Sequence, residues 1–546
     1  MTMISRLLGW ALKLPPAETH DVVIDRDLRV PMPDGVELLA DHYHPRGLDG
    51  RPTILIRSPY GRAAAFGLLF ARPLAERGFQ VLIQSCRGTF GSGGVFEPFH
   101  AERADGLATV DWIEKQPWYS GKLAMFGASY LGIVQWAIAA DAGPRLHAMA
   151  AQLTTSSLPA TMYSGGSYWL DTALFWAGLV EHQEAGFFRS WLAIQRAPRL
   201  LEAASSHLPL RTADEAMVGR PLAFFRDWLE HAQPGDPWWE PLERSGTVAD
   251  VSAPVHLLAG WYDVFTPQTV ADYERLRRAG KNPYLTVGPW SHLDNGWMGV
   301  SLRDAIAWYR AHLLGDRTAL REQPVHLFVM GAGEWRDYPS FPPPGMRPER
   351  WHLQPERGLG PTPPPESEPD RYRYDPNDPT PSVGGSALSP NSGAKDNKAL
   401  LKRADVLAYT SAPLDRDLEI IGPVSADLHV ESSLDHTDFF VRLCDTSPSG
   451  KTINICDGLV RLTPETAPRD ERGRRRAHVE LWPTAHRFKS GHRIRVLVSS
   501  GAHPRFARNL GSGEPLATAT KLLASDQAVH HAPGAPSAIV LPVMPA

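Results

Sequence analysis

The chain has 546 residues, 43% of them hydrophobic and 21% charged, an ordinary globular composition at a length that calls for more than one core. A net charge of −4 supplies no basic field, so nucleic acid is not an expected partner. Three cysteines in this length make neither a disulfide framework nor a zinc site of C-x-x-C spacing. Cys86, Cys444 and Cys456 read as reduced core thiols of a cytoplasmic protein.

At the N-terminus, Ile4, Leu7, Leu8, Ala11, Leu12 and Leu14 around Arg6 and Lys13 predict a short amphipathic helix docked on its own domain. Lys13 and the Pro15-Pro16 pair argue against a secretion signal. No apolar window reaches the length of a spanning helix, and stable membrane association is not expected. Strands follow at Asp21–Val30, Gly35–Tyr43, Thr53–Ile56, Phe79–Gln84 and Leu123–Phe126, alternating with helical stretches as an α/β sheet requires. The run Gly-Thr-Phe-Gly-Ser-Gly-Gly at 88–94 invites a dinucleotide-binding reading. Pro98 opposes the helix such a loop must open, so a surface loop is expected there.

Gly127-Ala128-Ser129-Tyr130-Leu131-Gly132 is the most informative stretch. An apolar run leads into it and a helix-like run, Ile133 to Ala140, leaves it, which is the setting of a nucleophile elbow. The turn lifts the Ser129 hydroxyl out of the sheet and aims the helix N-terminus at the reacting carbonyl. The pattern departs from G-x-S-x-G, since Leu131 holds the second glycine position and the glycine falls one later. From about 146 to 245 the sequence is rich in Trp, Leu, Ala and Glu at helical spacing, the signature of a helical cap inserted between strands. Its aromatics, Trp169 and Trp176 among them, suit a concave apolar pocket.

Strand signals resume with Val255 to Gly260, ending in Trp261-Tyr262-Asp263, and with Tyr284 to Val287, ending in Gly288-Pro289-Trp290-Ser291-His292. Both polar candidates sit past the carboxyl ends of predicted parallel strands, where open α/β sheets place their sites. The chain order Ser129, Asp263, His292 is that of an α/β-hydrolase triad. His292 would shuttle the proton and Asp263 would orient its ring; Asp294 and Asp111 are rival acids that do not close a strand. Trp261 and Trp290 adjoin the triad and are added to the pocket. Beyond a Pro-rich passage from Phe341 to Pro365, short strands recur at Glu419–Ile421, Val424–Val430, Phe439–Leu443, Leu459–Leu462, Ala477–Leu481 and His492–Val498, arguing a β-sandwich. Arg472 to Arg476 reads as a solvated hairpin loop. The segment from His503 to Asn509 is polar enough to line an interdomain seam.

These pieces resemble the cocaine-esterase and X-prolyl dipeptidyl-peptidase family of α/β-hydrolases. The matching stretches include Arg57-Ser58-Pro59-Tyr60-Gly61, Cys86-Arg87-Gly88, Gln116-Pro117-Trp118, the Ser129 hexapeptide, Gly260-Trp261-Tyr262-Asp263, Gly288 to His292, Tyr374 to Pro379 and Gly491 to Val496. The resemblance implies an α/β-hydrolase domain over 1–145 and 246–340, a helical cap over 146–245 and a C-terminal jelly roll over 341–546. It implies the same triad, with the Tyr60 hydroxyl joining the Tyr130 backbone N–H as the oxyanion hole. No cofactor or metal is called for.

The expected activity is a serine hydrolase cleaving small-molecule esters, or amides, through an acyl-enzyme. The alternatives are an X-prolyl dipeptidyl aminopeptidase and an α-amino acid ester hydrolase or β-lactam acylase. Each must hold a free α-amine, for which Asp171 and Glu181 are the candidate carboxylates. A non-catalytic binding protein on a hydrolase fold is the rival from another class. Assembly is left open, a homodimer being one form.

Overall fold

The computed structural model describes residues 2–184, 187–233 and 235–545. Apolar runs between 22 and 338 assemble into one sheet of ten strands: β1 (Val22–Pro31), β2 (Glu37–Pro45), β3 (Thr53–Ser58), β4 (Gln80–Ser85), β5 (Leu123–Ala128), β6 (Leu146–Gln152), β7 (Val255–Tyr262), β8 (Tyr284–Ser291), β9 (Val325–Val329) and β10 (Glu334–Tyr338). Their order is β1-β2-β4-β3-β5-β6-β7-β8-β9-β10. All neighbours from β4 to β9 are parallel. The pairings made by β1, β2 and β10 at the two edges are antiparallel. Parallel strands covered on both faces have no solvent side. Every residue of β3, β4 and β7 is accordingly buried, which is why they read as near-continuous apolar runs.

β6 is a correction to the sequence reading, which placed residues 146–152 in the cap. Leu-His-Ala-Met-Ala-Ala-Gln carries no β-branched residue, yet it pairs between β5 and β7 in the centre of the sheet. Burial decides its conformation over propensity. The helical insertion therefore starts later, with helices at Leu158–Met162, Leu170–His182, Phe187–Ser206, Ala213–Val218 and Ala223–Glu230.

The C-terminal part, from Arg347 to Val543, is an all-β jelly-roll unit of eleven strands. The two strands expected at 419–421 and 424–430 are one, Leu418–Ser432, whose register against Arg475–Phe488 shifts between Gly422 and Val424. Pro423 has no N–H for the ladder, so the strand bulges there instead of ending. All three cysteines are buried free thiols.

The segment from 503 to 509 does line the seam between this unit and the cap. The Asp171 N–H donates to the Pro504 carbonyl and the Ala507 N–H to the Tyr168 carbonyl. Arg505, fully buried, pairs with Asp457 and lies over the rings of Trp169 and Trp482. At the other end, the predicted helix forms over Thr2–Ala11. It is docked through the Ser5 hydroxyl, which donates to Glu76 at 2.5 Å, while Met3, Ile4, Leu7 and Trp10 on its outer side stay exposed. No helix among the described residues is long and apolar enough to cross a membrane.

Candidate active site

Ser129 connects β5 to the Tyr130–Ala142 helix with φ 62° and ψ −127°, a left-handed conformation that a non-glycine residue adopts at a cost. The flanking sequence explains how it is held. A Cβ on Gly127 would fall 2.3 Å from Leu131 Cβ, and one on Gly132 would fall 2.5 Å from Thr154 Cβ. Gly127 thus makes room for Leu131, and Gly132 lets the helix lie against the chain after β6. This is the physical basis for a glycine one place later than in G-x-S-x-G. Thr154 Oγ1 donates to the Ser129 carbonyl at 2.9 Å, and the Ser129 N–H reaches the Gln152 carbonyl at 2.9 Å. Tyr130 is the first helical residue, so its N–H has no intrahelical acceptor.

Asp263 and His292 follow β7 and β8. His292 Nδ1 lies 2.5 Å from Asp263 Oδ2. The other carboxylate oxygen of Asp263 accepts the Phe265 N–H at 2.8 Å, and the carboxylate is fully buried. With Nδ1 held by the acid, the ring's Nε2 is the nitrogen left for a nucleophile. Ser129, Tyr130, His292 and Tyr60 line one narrow cavity, together with Phe99, Ile133, Leu158, Met162, Trp176, Trp228, Val264, Phe265 and Leu388. The rival acids are engaged elsewhere: Asp294 accepts from the Ser291 N–H at 2.7 Å, and Asp111 pairs with Arg145 at 2.6 Å.

Tyr60 follows β3 in a Pro-Tyr pair. Trp176 Nε1 donates to its hydroxyl oxygen at 2.9 Å, leaving the phenolic proton free to donate onward. Burial pushes its pKa up to about 12, with the Trp176 bond opposing, so the hydroxyl stays a donor at neutral pH. Behind the elbow, the Tyr130 hydroxyl donates to Glu102 at 2.8 Å. Glu102 also pairs with the fully buried Arg57 at 2.7 Å. Arg57 of the Arg-Ser-Pro-Tyr motif thereby ties the ends of β3 and the nucleophile helix together.

Three of the four tryptophans expected in the pocket lie outside it. Trp290 is folded back onto the sheet, where a Cβ on Gly260 or Gly288 would fall within 2.3 Å of its ring. Its Nε1 donates to the Ala259 carbonyl at 3.0 Å. Trp261 donates to the Phe328 carbonyl at 2.7 Å, and Trp169 stacks on Trp482 at 5.2 Å. Trp261 and Trp290 brace strand ends, where each buried indole N–H finds an acceptor, whereas Trp169 braces the seam through ring packing. Trp176 does line the cavity. Sequence reasoning missed Phe265, two residues after the acid, and also Trp228, Phe99 and Leu388. Leu388 comes from the β unit, held by its N–H on Thr172 Oγ1 at 3.3 Å.

The two carboxylates weighed as amine holders are also placed elsewhere. Glu181 pairs with Arg220. Asp171 is buried and accepts from Ser389 at 3.0 Å, with burial raising its pKa. Among the described residues, no Asp or Glu lines the Ser129 cavity. A larger cleft of about 1120 Å³ runs between the cap and the β unit. It includes none of Ser129, Asp263 and His292.

Comparison with known proteins identifies the family. Residues 34–294 match the model of the X-Pro dipeptidyl-peptidase (S15) family, and residues 318–540 match its C-terminal non-catalytic domain. The chain is 31% identical to cocaine esterase of Rhodococcus sp. over 95% of its length and 98% of that protein. Among solved structures, an α-amino acid ester hydrolase superposes with a TM-score of 0.79 at 20% identity, covering 97% of this chain and 98% of that one. An aminopeptidase from a marine-sediment Thaumarchaeota archaeon gives the same score, identity and coverage.

Proposed function

We propose that this chain, which belongs to the X-Pro dipeptidyl-peptidase (S15) family, cleaves small carboxylic esters with uncharged acyl groups, Ser129 acting as nucleophile, His292 as base and Asp263 as orienting acid. It is a serine hydrolase of ester bonds. On this reading, Ser129 Oγ attacks the carbonyl carbon as His292 Nε2 takes its proton. The oxygen that gains charge is held by the Tyr60 hydroxyl and the Tyr130 N–H. The intermediate collapses, His292 returns the proton to the departing alcohol oxygen, and the acyl group remains on Ser129. Water, deprotonated by His292, then releases the acid and restores the serine.

The observation that carries the substrate reading is the cavity lining, which apart from Ser129, His292, Thr161 and Thr172 is aromatic and aliphatic, with no carboxylate among the described residues. A peptidase or amino ester hydrolase has to compensate a buried ammonium there, and a bare one is costly to bury. The domain division proposed keeps 146–152 with the catalytic unit of 1–145 and 246–340. The cap then takes the helices up to 245, and 341–546 form the β unit. The cytoplasm is the proposed compartment, supported by the three unpaired thiols.

The test is initial rates on a nitrophenyl acyl ester, an α-amino acyl nitrophenyl ester and a glycyl-prolyl nitroanilide, with Ser129→Ala as blank. Turnover of the simple ester above the other two is expected. Preference for the anilide or the amino ester would overturn the uncharged-acyl reading, and rates unchanged in Ser129→Ala would overturn the nucleophile.

A further inference from the structure

The far edge of the sheet carries a cluster that the ester chemistry does not use. His42 and His44 lie two residues apart on β2 and so face the same side. Asp25 of β1 is the cross-strand partner of His42. One ligand atom from each of the three side chains lies within 4.8 Å of the others. Asp25 Oδ2 is 3.7 Å from His42 Nδ1 and 3.2 Å from His44 Nε2. Ligands bound at 2.0–2.1 Å to a tetrahedral ion sit about 3.3–3.4 Å from one another, so these spacings bracket what such an ion needs.

The second observation is the state of His42. Its side chain is 2% exposed, sandwiched between Trp118 at 4.2 Å and the His44 ring at 4.9 Å. Gln80 spends both amide protons on the Arg51 and Trp118 carbonyls, at 2.8 and 2.9 Å. Its Oε1 is therefore an acceptor, and His42 Nε2, 3.1 Å away, must donate to it. That fixes the tautomer and leaves Nδ1 as a bare lone pair. Nδ1 is sealed from solvent and has no hydrogen-bond partner, because Asp25 is beyond reach at 3.7 Å. A buried imidazole oriented by an amide through one nitrogen, with the other 3.7 Å from a carboxylate and a second imidazole stacked alongside, is the arrangement of a metal ligand and its supporting shell.

We propose that Asp25, His42 and His44 bind a divalent transition ion of the zinc class, with an outer position open to water beside the half-exposed Asp25. The ion would cross-link β1 to β2 next to the irregularity in their register between Asp25 and Leu28. Its role is to fix this edge of the sheet, since metal binding to a folded site is also folding free energy. It is separate from the triad, which follows β5, β7 and β8.

The test uses the full chain stripped with a chelator, titrated with ZnCl₂ by calorimetry and followed by thermal unfolding, with Co²⁺ absorption as a second signal. About one ion per chain at micromolar metal, a raised Tm and a visible d–d band are expected for a site with these ligands. Asp25→Asn and His44→Ala, both at solvent-reached positions, should each remove the binding and the metal-dependent Tm rise while ester turnover persists. His292→Ala should keep both, separating this site from the triad histidine. No saturable binding at micromolar Zn²⁺, or binding undiminished in Asp25→Asn and His44→Ala, would overturn the proposal and leave an Asp25–His44 ion pair only.

Discussion

One hydrogen bond sets the polarity of the cavity, and each of its partners makes a prediction. Tyr60 accepts from Trp176 Nε1, so its own proton is the one available to a developing oxyanion. Tyr60→Phe removes that donor, and kcat should fall by about 100- to 1,000-fold with a small change in KM. Trp176→Phe keeps the ring but deletes the bond that orients the hydroxyl. A neutral hydrogen bond is worth about 1 kcal/mol, so kcat should fall about 5-fold through Tyr60. In Tyr60→Phe the same Trp176→Phe change should cost much less. Steady-state kinetics on the four proteins checks this, and additive losses in the double variant would show that Trp176 does not act through Tyr60.

At the level of elements, the sequence patterns marked positions more reliably than they marked orientations. β7 and β8 were legible as apolar runs, and the residues that close them, Asp263 and His292, do meet at 2.5 Å. The neighbouring Trp261 and Trp290 were misplaced because a pocket and a strand brace ask for the same residue type. The clearance around Gly260 and Gly288 marks Trp290 as a brace, and the indole bond to the Phe328 carbonyl does so for Trp261. β6 escaped notice for want of β-branched residues, and Leu388 because nothing local links it to the cavity. The elbow carries the prediction at this scale. The Cβ of Gly132→Ala would meet Thr154 at 2.5 Å, where both backbone segments are fixed. Overpacking of this kind costs about 1–3 kcal/mol, measurable as a lowered denaturant midpoint. Because Thr154 also holds the Ser129 carbonyl, ester turnover should drop in the folded variant as well. A variant with unchanged midpoint and rate would mean that the helix shifts freely.

Across the whole molecule, the β unit is a wall of the Ser129 cavity as well as a neighbour. It supplies Leu388, and through Pro504 it holds the helix that carries Thr172 and Trp176. His503, the residue before that proline, makes this contact sensitive to acid. Its backbone joins the Thr380 and Ser382 chain at 2.9 and 2.7 Å, and its Nδ1 is sealed without a partner. Burial first, then the nearby Arg508 charge, push its pKa down from 6.5 to about 4. A histidine depressed in the folded state contributes stability that is full above the unfolded pKa. As pH falls from 6.5 towards 4 the unfolded chain takes up the proton first, and that stability is lost. The drop in Tm between pH 8 and pH 5 should therefore be smaller in His503→Phe than in the parent protein. Other buried histidines titrate in both proteins and cancel in the comparison. Equal drops in the two would place the acid sensitivity away from the seam, whereas a smaller drop in the variant ties the hold on the cavity-bearing helix to one imidazole of the C-terminal unit.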